Sequence, residues 1–164
     1  SFYEVVKKAG EAGYTEPDPR IDLSGVDVMR KILILVRESG VKMELSDIEN
    51  LSFLPVSSQK AITVDDFMKT LISDADYFNE LRKKASEKGC KLKFVAEFNR
   101  GKAKVGLKEI PAGHPFYDLD GKYNNVLFHT NRYTDQPLII KGAGAGAEVT
   151  ASGIFADIIR TINK

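Results

Sequence analysis

The sequence predicts an α+β fold, with a mixed or antiparallel β-sheet covered by helices. Two observations carry that expectation. Four segments between Phe2 and Lys88 have helical spacing or helix-start chemistry, and glycines close three of them. From Lys91 onward the apolar residues alternate or form short runs bounded by turn residues. Helices first and strands afterwards point to segregated layers.

The first helix is expected over Phe2 to Ala12, ending at Gly13. The turn-rich YTEPDPR comes next, where Pro17 and Pro19 push Glu16 and Asp18 away from helical geometry. A second helix is expected near Ser24, with Ser24 as its cap and Asp27 completing a Ser-x-x-Asp start. Its run Ile32 to Val36 is apolar all round, which predicts burial on more than one side before Gly40 ends it. Thr63 to Ser73 opens with Thr-x-x-Asp, and Asp74 to Lys88 closes at Gly89. Strands are expected at Lys91–Phe98 and Ala103–Ile110, joined by an Asn99-Arg100-Gly101 turn. Two more are expected at Val126–Thr130 and Leu138–Lys141, and a last helix at Val149–Ile162. There are no repeats and no low-complexity linker.

Composition excludes several classes of function. The chain has 164 residues, 43% apolar and 29% charged, which suits a globular domain with its own core. Lys+Arg 24 against Asp+Glu 23 gives +1, so charge makes no case for nucleic acid or an anionic membrane. No apolar run approaches the ~20 residues of a membrane span, and no signal peptide is seen. Cys90 is the only cysteine, so no internal disulfide forms and a reducing, cytoplasmic setting is expected. His114 and His129 are the only histidines, and no zinc spacing or Gly-x-Ser-x-Gly motif is present. No metal is therefore expected.

Asp27 and Lys31 are four apart and share one helix face. Spacing alone fits an ordinary surface ion pair. Ile34 and Leu35 continue that face, however, and both are expected to be buried, which places Lys31 at the edge of the core. A lysine exchanges protons near neutrality only when its surroundings tune it. Burial acts in one direction and a neighbouring carboxylate in the other. Glu16 and Asp22 fit turn chemistry equally well, and Tyr14 fits a packed aromatic with a satisfied hydroxyl.

The segment KGAGAGAEVTASG succeeds a strand and opens a helix, an arrangement that lets backbone approach an anion. As a dinucleotide fingerprint it is imperfect, because Ala147 replaces the third glycine. It also comes too late for a later strand to carry a ribose-binding acid.

The stretch AGEAGYTEPDPRIDLSGVDVMRK, Ala9 to Lys31, closely resembles the signature of homoserine dehydrogenases. The agreement covers Ala9, Gly13, Tyr14, Thr15, Asp18, Pro19, Asp22, Leu23, Gly25, Asp27 and Lys31. The tail GAGAGAEVTASGIFADIIR is similar to the C-terminal end of the same family. The resemblance implies NAD(P)-dependent interconversion of L-homoserine and L-aspartate 4-semialdehyde, in threonine and methionine biosynthesis. It implies Lys31 as proton donor and acceptor, with Asp27 as its catalytic neighbour. It also implies substrate contacts from Glu16 and Asp27 and a place in the site for Asp22; with Tyr14 these are the candidate substrate-binding residues, and the three carboxylates suit an ammonium group. Gly13, Glu16 and Gly146 are implied to lie against NADP or NAD.

The family's Gly-rich first turn is not found. Residues 1–141 are thus expected to be the substrate-binding, catalytic and dimerisation domain. Residues 142–164 are expected to return to a nucleotide-binding domain outside this chain. The resemblance further implies a homodimer formed through the sheet and no hydride transfer by this piece alone. If the parent is of the bifunctional type, an aspartokinase is expected upstream. Two rival readings remain: an amino-acid-binding module without chemistry, and a purely structural dimerisation domain.

Overall fold

The structure is a computed structural model and describes residues 1–121, 123–144 and 146–162. Ala145, Asn163 and Lys164 of the C-terminal segment lie outside the described residues. The chain divides by packing into two compact units, residues 1–112 and 113–164.

The first unit begins with helix α1, Phe2–Glu11, whose Ser1 cap forms a reciprocal capping box with Glu4. The helix ends as the sequence predicts. Gly13 adopts φ +71°, its N–H donates to Gly10 O, and the Tyr14 N–H donates to Ala9 O. These are the two hydrogen bonds of a Schellman motif, which needs a residue tolerant of the left-handed region.

The next two helices depart from expectation. A short helix, α2, spans Pro19–Leu23, with Asp18 as its cap and Pro19 in its first turn. Ser24 terminates α2 and is not the N-cap of the next helix. Helix α3, Val26–Glu38, has Gly25 at its N-cap with no side-chain cap bond. Asp27 gives its carboxylate to Lys31 and completes no capping box.

Helix α3 buries Met29, Leu33 and Val36, a stripe at i, i+4 and i+7. Ile34 and Leu35 are exposed, so the run Ile32 to Val36 is not buried on several sides. One-sided packing on the sheet suffices to hold this helix.

A 3-10 turn at Leu45–Asp47 leads into strand β1, Ile48–Leu51, and a short helix α4 comes after it at Val56–Gln59. None of the three has a clear sequence signal. Helices α5, Val64–Ser73, and α6, Ala75–Glu87, lie close to prediction, and the Thr63 hydroxyl caps α5 by accepting from the Asp66 N–H. Strands β2, Cys90–Asn99, and β3, Lys102–Pro111, form the expected hairpin. Strand β1 pairs in parallel with β3, so the sheet order is β1-β3-β2 and the sheet is mixed.

Two apolar clusters hold this unit. One joins Met29, Leu33 and Val36 to Met43, Ile48, Ala103 and Val105, with Phe94, Ala96 and Phe98 packed beside them. The other joins Val6, Leu54, Phe67, Leu71 and Phe78, with Leu23 packed against it. Segment 23–26 therefore bridges the two, with Leu23 on the helical cluster and Val26 on the sheet cluster.

The second unit holds an antiparallel hairpin of β4, Tyr123–Thr130, and β5, Tyr133–Ala143, and then helix α7, Ala147–Ile162. Both strands are longer than predicted. The α+β expectation with a mixed sheet is borne out.

Candidate functional site

The candidate residues gather on the loop after α1 and on the exposed sides of α2 and α3. Lys31 Nζ stands 2.7 Å from Asp27 Oδ2, one helical turn away. The Lys31 side chain is 53% exposed and that of Asp27 62%. The expectation that Lys31 sits at the edge of the core is thus wrong. The face it shares with Ile34 points away from the stripe that α3 buries.

Glu16 and Asp22 form a second pair. The Glu16 N–H donates to Asp22 Oδ2 at 2.9 Å, which ties the loop to α2, and among the described residues the exposed Glu16 carboxylate has no hydrogen-bond partner. Asp22 does turn chemistry here, with one oxygen still available. Tyr14 is not a packed aromatic: it is 84% exposed. Among the described residues no hydrogen bond links the Glu16–Asp22 pair to the Asp27–Lys31 pair. Their relative placement comes from the backbone of α2 and α3.

Two side chains set that backbone, and sequence reasoning assigned neither of them to the site. Arg20 grips Asp18 through Nε, at 2.8 Å, and Nη2, at 2.6 Å, the fork geometry of an arginine–carboxylate pair. Its Nη1 donates to Ala61 O at 2.9 Å and Ile62 O at 3.0 Å, just before α5. The hydrogen bond from the Arg20 guanidinium holds the Asp18 carboxyl below the usual carboxylate range, against the opposing effect of partial burial. Asn50, on the edge strand β1, donates from Nδ2 to Ser24 O at 2.7 Å, which fixes the entry to α3. The Asp18–Arg20 spacing at a helix start was a visible signal. Asn50 had none, because its bond spans 26 residues of chain.

Gly25 lies at φ +81° between these anchors. A Cβ there would stand 2.7 Å from Phe94 Cζ and 3.3 Å from Asn50 Oδ1. The joint between α2 and α3 therefore sits directly against the sheet.

The glycine-rich segment lies in the second unit. Gly142 lies near the end of β5 with open space around it, whereas a side chain at Gly144 would collide with the Asn124 carboxamide. Gly146 takes φ +132° just before α7. Close packing explains a glycine at 144, and the positive φ explains one at 146. His114 Nδ1 accepts from the Phe116 N–H at 3.1 Å. His129 lies exposed near the end of β4. Cys90 is half-buried at the start of β2. Among the described residues no cluster could hold a metal ion, and no helix is long and apolar enough to cross a membrane.

The chain is similar to known proteins along nearly its whole length. A profile described as homoserine dehydrogenase matches residues 1–159. The maize protein named bifunctional aspartokinase/homoserine dehydrogenase 1, chloroplastic, is 48% identical over 163 residues, 98% of this chain and 18% of that protein. The homoserine dehydrogenase of Schizosaccharomyces pombe is 39% identical over 167 residues, the whole of this chain and 44% of that protein. A crystal structure of a Candida auris protein of unknown function superposes with TM-score 0.90 and 38% identity, over 99% of this chain and 46% of that one. The chain thus spans less than half the length of these relatives. Across nearly its whole length, this chain belongs to the homoserine dehydrogenase family.

Proposed function

We propose that this chain is the substrate-binding and dimerisation part of an NAD(P)-dependent homoserine dehydrogenase, which interconverts L-homoserine and L-aspartate 4-semialdehyde. Family membership across residues 1–159 carries this reading. The open Asp27–Lys31 pair is its chemical counterpart.

Lys31 exchanges the proton of the reacting oxygen. In aldehyde reduction its Nζ donates to that oxygen, and in alcohol oxidation it receives the hydroxyl proton. Asp27, one turn away, orients the lysine through their ion pair and keeps a second oxygen for substrate. Glu16 and the free oxygen of Asp22 receive the ammonium group of the amino acid. Tyr14, uncovered beside them, offers a hydroxyl and a ring wall.

NADP or NAD supplies the hydride chemistry when bound. The residues present fit one edge of such a molecule. Gly13, at φ +71° with nothing within 4 Å of its Cβ position, leaves its backbone uncovered, and Glu16 lies nearby in sequence. The rest of the dinucleotide needs residues outside this chain. The exposed stripe Ile154, Phe155, Ile158, Ile159 and Ile162 on α7 suits the face toward that nucleotide-binding part.

The test is homoserine-dependent reduction of NADP and NAD by the complete protein and by this chain alone. The complete protein is expected to turn over and this chain is not. No rate from the complete protein with either cofactor would favour a binding module without chemistry.

The homodimer is proposed to form through β4–β5. A two-stranded hairpin is marginal on its own, and Leu138, Ile139 and Ile140 are exposed along β5. Sedimentation of the complete protein is expected to show a dimer that Ile139→Lys weakens. A wild-type monomer at micromolar concentration would overturn the proposal.

A further inference from the structure

We propose that the Asp18–Arg20 pair is a positioning device that sets the pose of Glu16 and Asp22 toward the amino-acid substrate by strapping their loop to the start of α5. The inference rests on the functional reading above and deepens it.

The loop from Tyr14 to Asp18 has few ties of its own. Its backbone is held by the Schellman bond at Tyr14 and by the Glu16–Asp22 bond. The exposed Tyr14 ring gives it no packing. Order must therefore come from its far end, where Asp18 and Arg20 stand. Arg20 commits four of its five N–H donors: Nε and one Nη2 hydrogen to Asp18, and both Nη1 hydrogens to Ala61 O and Ile62 O. Little capacity remains for a ligand, so Arg20 acts through the residues it holds.

The anchor it grips is firm. Ala61 and Ile62 directly precede Thr63, the cap of α5, and α5 buries Phe67 and Leu71 completely. Asp18 itself caps α2 by accepting from the Arg20 N–H at 3.0 Å. One fork thus joins the loop, the start of α2, which carries Asp22, and a helix whose Phe67 and Leu71 are fully buried. Only a guanidinium has the planar set of donors to serve a carboxylate and two carbonyls together.

Lys31 is held by different means. It rides on α3, which is fixed by the sheet cluster and by the Asn50 bond to Ser24 O. Loosening the strap should therefore blur substrate binding while leaving the proton-transfer group in place. That separation distinguishes a positioning role from a general loss of structure.

The experiment is steady-state kinetics of the complete protein with saturating cofactor, comparing wild type with Arg20→Ala, Arg20→Lys and Asp18→Asn. Arg20→Ala is expected to raise the homoserine KM by about tenfold or more, the scale of a misplaced binding group, with kcat changed by less than about threefold and the pH profile of kcat unmoved. Arg20→Lys should not restore KM, because an ammonium cannot make the fork. Millimolar guanidinium should lower the KM of Arg20→Ala, where equal sodium chloride does not. If Arg20→Ala fails to fold, Asp18→Asn decides, with a smaller KM rise in the same direction. A wild-type enzyme that turns over homoserine, with variants of unchanged KM or with equal losses in kcat and kcat/KM, would overturn this inference alone. A wild type without homoserine turnover would overturn the functional reading and this inference with it.

Discussion

Replacing Lys31 with alanine in the complete protein is expected to lower homoserine oxidation by about 10²-fold or more, the scale of losing a general acid–base group. The structure makes this variant clean to interpret. Lys31 belongs to neither core cluster, and it pairs with the equally open Asp27. Exposed pairs of this kind add little to stability, so the fold should survive the change. Lys31→Arg sharpens the test. Arginine keeps the positive charge and can still meet Asp27, but it holds its proton at any working pH. An arginine variant as slow as the alanine one assigns proton exchange to the lysine. A variant that keeps the wild-type rate moves proton transfer to another group. If arginine is fast and alanine slow, the lysine serves through its charge.

The second large effect is expected at Gly25. Gly25→Ala should destabilise the protein by about 2–4 kcal/mol, combining left-handed backbone strain with overpacking. In thermal unfolding this is a fall on the order of 10 °C. The added methyl would meet Phe94 Cζ at 2.7 Å and Cε1 at 3.0 Å, and Asn50 Oδ1 at 3.3 Å. Neither neighbour yields cheaply, because Phe94 packs on the sheet cluster and Asn50 holds Ser24 O. A double-mutant cycle with Phe94→Ala separates the two parts. The share from Phe94 should disappear in the Phe94→Ala background, and the cost of φ +81° and of the Asn50 contact should remain. A single variant that loses less than about 0.5 kcal/mol would show that the joint relaxes and is not tightly seated. The same substitution reaches the site as well, because this joint sets how Asp22 on α2 stands relative to Asp27 and Lys31 on α3.

Much of the fold was legible because its signals are local. Thr63 with Asp66, the glycines at 13, 40 and 89, and the Asn99-Arg100-Gly101 turn act within a few residues, and each works as its chemistry predicts. The elements that escaped prediction depend on distant partners. Strand β1 has four residues, and only its parallel register with β3, Ile48 to Ala103, makes it a strand. Helix α2 hides in a proline-rich turn because Asp18 is both its cap and the anchor of Arg20.

The candidate site divides along the same line. Sequence by itself determined the family resemblance, the identity of Tyr14, Glu16, Asp22, Asp27 and Lys31, and the one-turn spacing that pairs the last two. Tertiary structure alone decided that Lys31 stands in the open and not at the core edge. Apolar residues at Ile34 and Leu35 show what a helix could bury, but the sheet accepts only the Met29, Leu33 and Val36 stripe. It also decided that Arg20 and Asn50 tie the candidate segments to the rest of the unit, because their bonds join segments 41 and 26 residues apart, beyond the reach of any local pattern.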